Sequence, residues 1–102
     1  MSQPIFRWNG DYFGFIASGR LYDKYANYCG WVDYMDFWRR DGAYLGELVD
    51  NVYILKRKSM APRANKPIRP DPPLIVAPPP CPNRMPRSTR VGFKDALDQF
   101  GS

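Results

Sequence analysis

A sixteen-residue period is the feature of this sequence that most restricts its fold. The motif Tyr-x-Gly occurs three times, and each copy ends on an aliphatic residue two positions after the glycine. An apolar pair precedes each copy, and a similar pair opens a fourth, shortened unit. The three copies are 12–16, 28–32 and 44–48, and the four pairs are 5–6, 21–22, 37–38 and 53–54. A fixed period in so short a chain indicates one supersecondary unit used several times.

Each unit carries the signals of two strands and two tight turns. Asn9-Gly10 and Asp41-Gly42 are pairs that favour the positive φ angles of a type I′ hairpin turn, whereas the middle unit has Ala26-Asn27 and predicts a looser turn. We therefore expect an all-β, antiparallel up-and-down meander of about seven strands, strongly curled or barrel-like. The predicted strands lie near residues 4–8, 11–17, 20–24, 27–33, 36–40, 43–49 and 52–58.

The repeated glycine has a structural interpretation. Residues two apart on a strand share a face, so Tyr28, Gly30 and Val32 are expected to point one way and the residues between them the other way. Glycine weakens a strand and usually marks a close approach. We expect an aromatic ring of the neighbouring strand to lie across Gly30, which makes the motif part of the architecture rather than a ligand-stacking site.

Composition divides the chain into three parts. Residues 1–58 hold fourteen of the sixteen aromatic residues, and residues 59–102 hold ten of the eleven prolines. We assign 1–58 to a β-repeat domain, 59–90 to a proline-rich extended tail that is expected to be disordered, and 91–102 to a short amphipathic peptide. So small a core is marginal by area alone, so the repeat must pack well, or it needs cover from the tail or from a second copy of the chain, bound through the sheet face or the tail.

The repeats resemble those of a set of small bacterial proteins with proline-rich tails. The matching text is "GRLYDKYANYCGWVDYMDFWRRDGAYLGELVDNVYILKR", residues 19–57. The resemblance implies a β-repeat fold and carries no expectation of an activity.

The tail holds two short apolar patches. Leu74, Ile75 and Val76 lie between proline brackets and are suited to joining a sheet edge of a partner, although a solvated spacer is the alternative. Phe93, Leu97 and Phe100 fall on one face of a short helical pattern. Eight residues are too few for an isolated helix, so this segment either folds on a partner or back onto the sheet, or it forms a frayed terminus.

The sequence contains few of the residues that a catalytic site needs. The chain has no histidine, which removes the commonest general base and metal ligand, and its two cysteines, Cys29 and Cys81, show no metal spacing. No stretch approaches the roughly 18 apolar residues of a membrane helix. We therefore expect a cytoplasmic protein with free thiols that is not an enzyme, uses no cofactor and binds no membrane.

Two functions remain for the structure to address. The first is a non-enzymatic protein–protein interaction module or small adaptor, in which the meander is a platform and the tail presents its two apolar patches to a protein partner. The alternative is binding of single-stranded nucleic acid, which combines aromatic stacking platforms with positive grooves. The residues expected to form that aromatic and basic patch are Trp38, Arg39, Arg40, Tyr53, Lys56, Arg57 and Lys58.

Overall fold

The computed structural model describes residues 3–58, 63–88 and 91–97, which form eight strands in one sheet whose spatial order follows the sequence. Each strand pairs antiparallel with the next. Strand β1 also pairs with β7 in parallel, with Phe6 opposite Tyr53, which closes the first seven strands into a barrel. The predicted all-β meander is confirmed. The strands are β1 (Gln3–Phe6), β2 (Tyr12–Ala17), β3 (Arg20–Asp23), β4 (Tyr28–Asp33), β5 (Asp36–Arg39), β6 (Tyr44–Val49), β7 (Tyr53–Arg57) and β8 (Phe93–Asp95).

A β-bulge lies inside each copy of Tyr-x-Gly. In the middle copy Gly30 is opposite Leu21 and Tyr28 is opposite Tyr22, so Cys29 is an extra residue without a partner in the ladder. The other two copies show the same register shift. The bulge interrupts the alternation of faces, and Cys29 and Val32 both contribute to the interior core. The prediction that Tyr28, Gly30 and Val32 share a face is therefore wrong, because alternate residues point to the same side only where the strand has no bulge.

The hairpin turns at residues 9–10 and 41–42 differ in type from the sequence-based prediction. Gly10 and Gly42 have positive φ, as expected, but Asn9 and Asp41 do not. The hairpins at these sites therefore use a type I turn followed by glycine in the left-handed region, a common three-residue loop. At the opposite ends both turn residues of 18–19 and of 50–51 have positive φ, which is the type I′ pattern.

The barrel has an aliphatic interior and an aromatic outer layer. Phe37 lies in the interior cluster and its neighbour Trp38 belongs to a separate buried cluster, as expected for successive residues on a strand. The separate clusters on the outside are built from aromatic rings. The interior cluster consists of Ile5, Leu21, Cys29, Phe37, Leu45, Ile54, Ala96 and Leu97.

The strand glycines allow backbones, not rings, to approach. A Cβ on Gly30 would collide with the carbonyl oxygen of Trp38, and one on Gly14 would collide with that of Tyr22. A Cβ on Gly46 would lie 2.7 Å from the carbonyl oxygen of Leu55. The expected ring across Gly30 is thus replaced by main chain, because the bulge bends the strand and brings the neighbouring backbone close.

The proline-rich tail follows the barrel instead of leaving it. Residues 63–88 form no helix or strand, but the N–H of Lys66 donates to the carbonyl of Gly42 at 2.9 Å and the N–H of Arg84 donates to that of Gly10 at 2.7 Å. The structure thus differs from the expected disorder over these residues. Prolines restrict the unfolded chain, which lowers the entropy lost when this segment is ordered. We call residues 63–88 the belt.

The described part of the C-terminal peptide adds a strand to the sheet where the sequence pattern suggested a helix, and residues 96–97 follow it as a short 3₁₀ turn. Residues 93–95 are strand β8, paired with Leu55–Arg57 of β7, and Ala96 and Leu97 are fully buried in the interior cluster. Strand β7 meets β1 only at Tyr53, so its later residues would otherwise leave an open edge. Pairing with this edge of β7 outweighs the helical pattern of residues 93–95, and Phe100 lies outside the described residues.

Candidate interaction surface

The belt residues that lie over aromatic rings are spaced by multiples of three. A polyproline II chain has three residues per turn, so side chains three apart lie on one side of it. The five positive residues of the belt that lie over aromatic rings all obey this spacing, and Ile75, Pro78 and Cys81 stand between them in the same phase. We call these five residues the belt cations: Arg63, Lys66, Arg69, Arg84 and Arg87.

Three belt cations cover the cluster of Trp31, Trp38 and Tyr44. The guanidinium of Arg63 lies 4.3 Å from the ring centroid of Tyr44. The ammonium of Lys66 lies 4.7 Å from the ring centroid of Trp38, and the guanidinium of Arg69 lies 5.1 Å from that of Trp31. Contacts of this kind are worth about 0.5–1 kcal/mol each at exposed sites and more when desolvated.

The other two belt cations cover the seam where β1 meets β7. Arg84 lies 5.4 Å from the ring centroid of Phe6 and 5.6 Å from that of Tyr53. Arg87 lies 4.8 Å from the ring centroid of Trp8 and 5.4 Å from that of Tyr53. The belt is therefore anchored on two separate aromatic clusters of the barrel.

Carboxylates of the barrel turns pair with the same cations. Arg63 pairs with Asp36 at 3.1 Å, Arg87 pairs with Asp50 at 3.0 Å, and Lys66 pairs with Asp33. The hydrogen bond from Lys66 holds the pKa of Asp33 below its usual range. Hydrogen bonds to Tyr53 and Asp50 raise the pKa of Arg87. Exposed ion pairs contribute little energy, so their main effect is to select the register of the belt.

The charges are reversed at the middle repeat. Here the barrel supplies the cations: Arg40 lies 5.8 Å and Arg20 lies 6.0 Å from the ring centroid of Tyr28. The belt supplies a carboxylate, and Asp71 pairs with Arg40 at 3.1 Å. Arg20 also donates to the carbonyl of Pro70 at 3.4 Å. A belt shifted by one repeat would bring like charges together, so this reversal permits one register.

The predicted nucleic-acid patch is not assembled as one stacking surface. Strand β6 lies between β5 and β7, and Trp38 and Tyr53 belong to different clusters. Both rings are buried, and belt cations lie over them.

The basic residues of that predicted patch also have other neighbours. Arg57 pairs with Glu47 at 3.2 Å, and Arg39 lies 3.9 Å from Asp41. Arg40 pairs with Asp71 of the belt, Lys56 is half-buried, and Lys58 is exposed.

The apolar patch in the middle of the belt is exposed. The side chain of Leu74 is 100% exposed and that of Val76 is 92% exposed, whereas Ile75, in the barrel-facing phase, is 38% exposed. The structure therefore presents Leu74 and Val76 outward. It does not bring the second predicted patch to them: Phe93 lies under Arg57 at 5.8 Å, and Leu97 is fully buried.

An open pocket of about 310 Å³ lies beside this part of the belt. One wall comes from the barrel and includes Tyr12, Lys24 and the exposed Tyr25, and the other comes from the belt and includes Cys81 and Asn83. The side-chain oxygen of Asn83 accepts the N–H of Tyr12 at 3.0 Å. Burial raises the pKa of Tyr12. The lining thus combines the aromatic rings of Tyr12 and Tyr25 with the ammonium group of Lys24.

The described residues hold no cluster of three metal-ligating side chains, and none of their segments is a helix that could span a membrane. Burial, reinforced by nearby Asp23, raises the pKa of the Cys29 thiol to about 12, which makes it a poor nucleophile. The signal that sequence reasoning missed is the spacing of the cations: positions 63, 66, 69, 84 and 87 share one phase of three. That period was readable without a structure.

Comparison with known proteins gives one match. The family described as 4-fold beta flower protein matches residues 2–93, which include both the barrel and the belt. No curated protein and no solved structure matches the chain.

Proposed function

We propose that this chain, which belongs to the 4-fold beta flower family, is a non-enzymatic protein-interaction module that presents the middle of its belt to a protein partner. The observation that carries the proposal is the complete exposure of Leu74 and the near-complete exposure of Val76. Aliphatic side chains fully exposed on both sides of a residue that faces the barrel suggest a docking motif more than a spacer.

The anchors on either side of this motif support the proposal. Asp71 holds the belt through Arg40 before the motif, and Arg84 holds it through Gly10 and Phe6 after the motif. A segment held in its extended form loses less entropy on binding than a free tail does. The partner that fits is a protein with an apolar groove or an open sheet edge for an extended strand.

Of the two docking motifs expected from the sequence, the proposal keeps only the one at residues 74–76. Leu97 is part of the interior core, so it stabilises the module and does not dock. The proposal also places the protein in the cytoplasm, where the free thiols of Cys29 and Cys81 stay reduced.

The test is a pull-down from the native host that compares the proteins recovered with the wild-type chain and with two variants. Leu74→Ser/Val76→Ser removes the proposed motif, and Ile68→Ser/Val91→Ser removes two other exposed aliphatic residues as a matched control. We expect the first variant to lose a protein that the wild type and the control both recover. Equal recovery by all three would contradict the proposal. Recovery of nucleic acid that moderate salt releases would instead support the alternative, since phosphate contacts depend steeply on salt.

Size measurement in solution covers the case in which the partner is a second copy. A dimer of the wild type that Leu74→Ser/Val76→Ser dissociates, and that the control retains, would identify this motif as the contact between copies.

A further inference from the structure

We infer that the surface formed by Trp31, Trp38 and Tyr44 is a binding site for proline-rich peptides that carry Lys or Arg at every third position. In this state its occupant is the chain's own belt. The inference concerns a different surface from the exposed motif at 74–76, and it stands or falls separately from the proposed function.

The surface has the composition of a polyproline II groove. Trp38 and Tyr44 meet edge to face with ring centroids 5.2 Å apart, and Trp31 joins them in one cluster on the outside of the barrel. Aromatic-lined grooves bind extended proline-rich peptides because such peptides are already rigid and lose little entropy. All three rings are buried in this state, and side chains of the belt lie over them.

The belt shows which peptide fits. Arg63, Lys66 and Arg69 are three apart, and each lies over a different ring of the cluster. Asp36 and Asp33 stand beside the rings and pair with Arg63 and Lys66. The site therefore recognises an extended peptide with a positive side chain at every third position. It requires no particular residue at the positions between them.

The belt does not satisfy every donor of the site. The indole N–H groups of Trp31 and Trp38 are buried, and they find no acceptor in the part of the chain that the structure describes. A buried donor without a partner costs about 1–3 kcal/mol. A polyproline II backbone has no internal hydrogen bonds, so its carbonyl oxygens are free to accept. A peptide that places a carbonyl at either indole gains a bond that the belt does not make.

The belt nevertheless has an advantage over a peptide from another protein, because it is covalently joined to the barrel. Because it is tethered to the barrel on the same chain, its effective concentration at the site is about millimolar or higher. A peptide from another protein binds well only when its own contacts are better or when the belt is weakened. The partner class is thus a proline-rich, cationic segment of another protein, and the belt acts as its competitor.

The experiment uses the full chain and a synthetic peptide of residues 63–72. Lys66→Ser/Arg69→Ser weakens the belt but leaves the three rings in place. Lys58→Ser/Lys94→Ser removes the same charge at two exposed positions outside the belt. Binding is measured by titration calorimetry and by the indole N–H signals of Trp31 and Trp38 in heteronuclear spectra. A second peptide of the same composition has its three positive residues adjacent to one another.

We expect Lys66→Ser/Arg69→Ser to bind the peptide at least about tenfold more tightly than the wild type and the control variant do. We also expect the two indole signals to shift as the peptide covers the rings, and the rearranged peptide to bind more weakly. The inference would be overturned by a folded belt variant that binds neither peptide, or that binds both equally. Dimerisation of that variant without peptide binding would also overturn it, since belts would then exchange between copies.

The wild type provides the test if the belt variant does not fold. Millimolar peptide added to the wild type should compete with the tethered belt and move the backbone N–H signals of Lys66 and Arg69 in the belt toward those of an unbound chain, in a saturable way. Belt signals that stay unchanged up to the highest peptide concentration would exclude the site.

Discussion

The carbonyl oxygen of Trp38 occupies the space that a Cβ on Gly30 would need. The obstacle is main chain from the neighbouring strand, so it cannot turn aside as a flexible side chain would. This relationship explains why glycine recurs at the end of each bulge: the bulge brings two backbones together, and only a residue without a side chain permits it.

The first prediction concerns this contact. Gly30→Ala should lower the free energy of unfolding by about 2–4 kcal/mol, because even one methyl group forces strands β4 and β5 apart. The measurement is the midpoint of urea unfolding at constant slope. Gly19→Ala is the control: its positive φ of 75° costs about 1–2 kcal/mol, but nothing lies within 4 Å of the new methyl group. An equal loss in the two variants would show that Trp38 can move.

The second prediction separates the two apolar residues that the sequence placed in the tail. Leu97 is fully buried in the interior cluster, whereas Leu74 is fully exposed. Leu97→Ala should therefore cost about 2–5 kcal/mol of stability, and Leu74→Ala should change it by less than about 0.5 kcal/mol. Urea unfolding of the full chain measures both. A small effect at Leu97 would mean that the C-terminal peptide does not fill the barrel in solution.

The third prediction concerns alkaline pH. Burial raises the pKa of Cys29 from 9.0 to about 12, and burial with nearby Asp36 raises that of Tyr44 from 10.0 to about 12. Between the unfolded and folded pKa values the unfolded chain binds fewer protons than the folded chain, so stability falls as pH rises from about 9 to 12. Below the unfolded pKa values both states are protonated, and these two groups give no pH dependence.

Cys29→Ala tests how much of this loss of stability at alkaline pH comes from the thiol. We expect the variant to be less stable than the wild type near neutral pH, because a buried group is lost, but to lose stability less steeply between pH 9 and 10. Urea unfolding at several pH values gives the two slopes. Identical slopes would show that Cys29 titrates normally. Modification by iodoacetamide provides a second measurement, in which the half-buried Cys81 should react well before Cys29.

The fourth prediction tests the attachment of the belt. Asp33→Asn removes the partner of Lys66, so the N–H of Lys66, which donates to Gly42, should exchange with solvent several-fold faster. The matched variant Asp50→Asn removes a partner of Arg87 and should instead speed exchange at the N–H of Arg87, which donates to Trp8. Hydrogen exchange resolved by residue measures both. Fast exchange at both sites in the wild type would mean that the belt is not held.

The acid dependence of the belt follows from the same pair. The pKa of Asp33 is lowered in the folded protein, so its contribution is complete above the usual carboxyl range and is lost as pH falls through the lowered pKa. The protection of the Lys66 N–H, which is its exchange rate relative to that of an unfolded chain at the same pH, should therefore fall in acid in the wild type and change less in Asp33→Asn.

The period of sixteen determined the number and order of the seven barrel strands, because turn residues and apolar pairs are local signals that need no tertiary contact to be read. The positive φ of Gly10 and Gly42 was likewise predictable from residue type. The three-residue spacing of the belt cations was present in the sequence as well. Its role becomes clear only when one knows which aromatic rings of the barrel these cations cover.

Only the tertiary structure decided which faces are inside, where the tail runs and what the last residues do. The bulge at Cys29 reverses one face of the strand, and a bulge depends on pairing with another strand rather than on its own residues. The belt is ordered because carboxylates beside two separate turns and rings from several strands meet it together, which no local window of sequence contains. Leu97 is a core residue and not a docking anchor because the closed barrel leaves part of the β7 edge unpaired, and the nearest segment able to pair with it brings Leu97 into the interior.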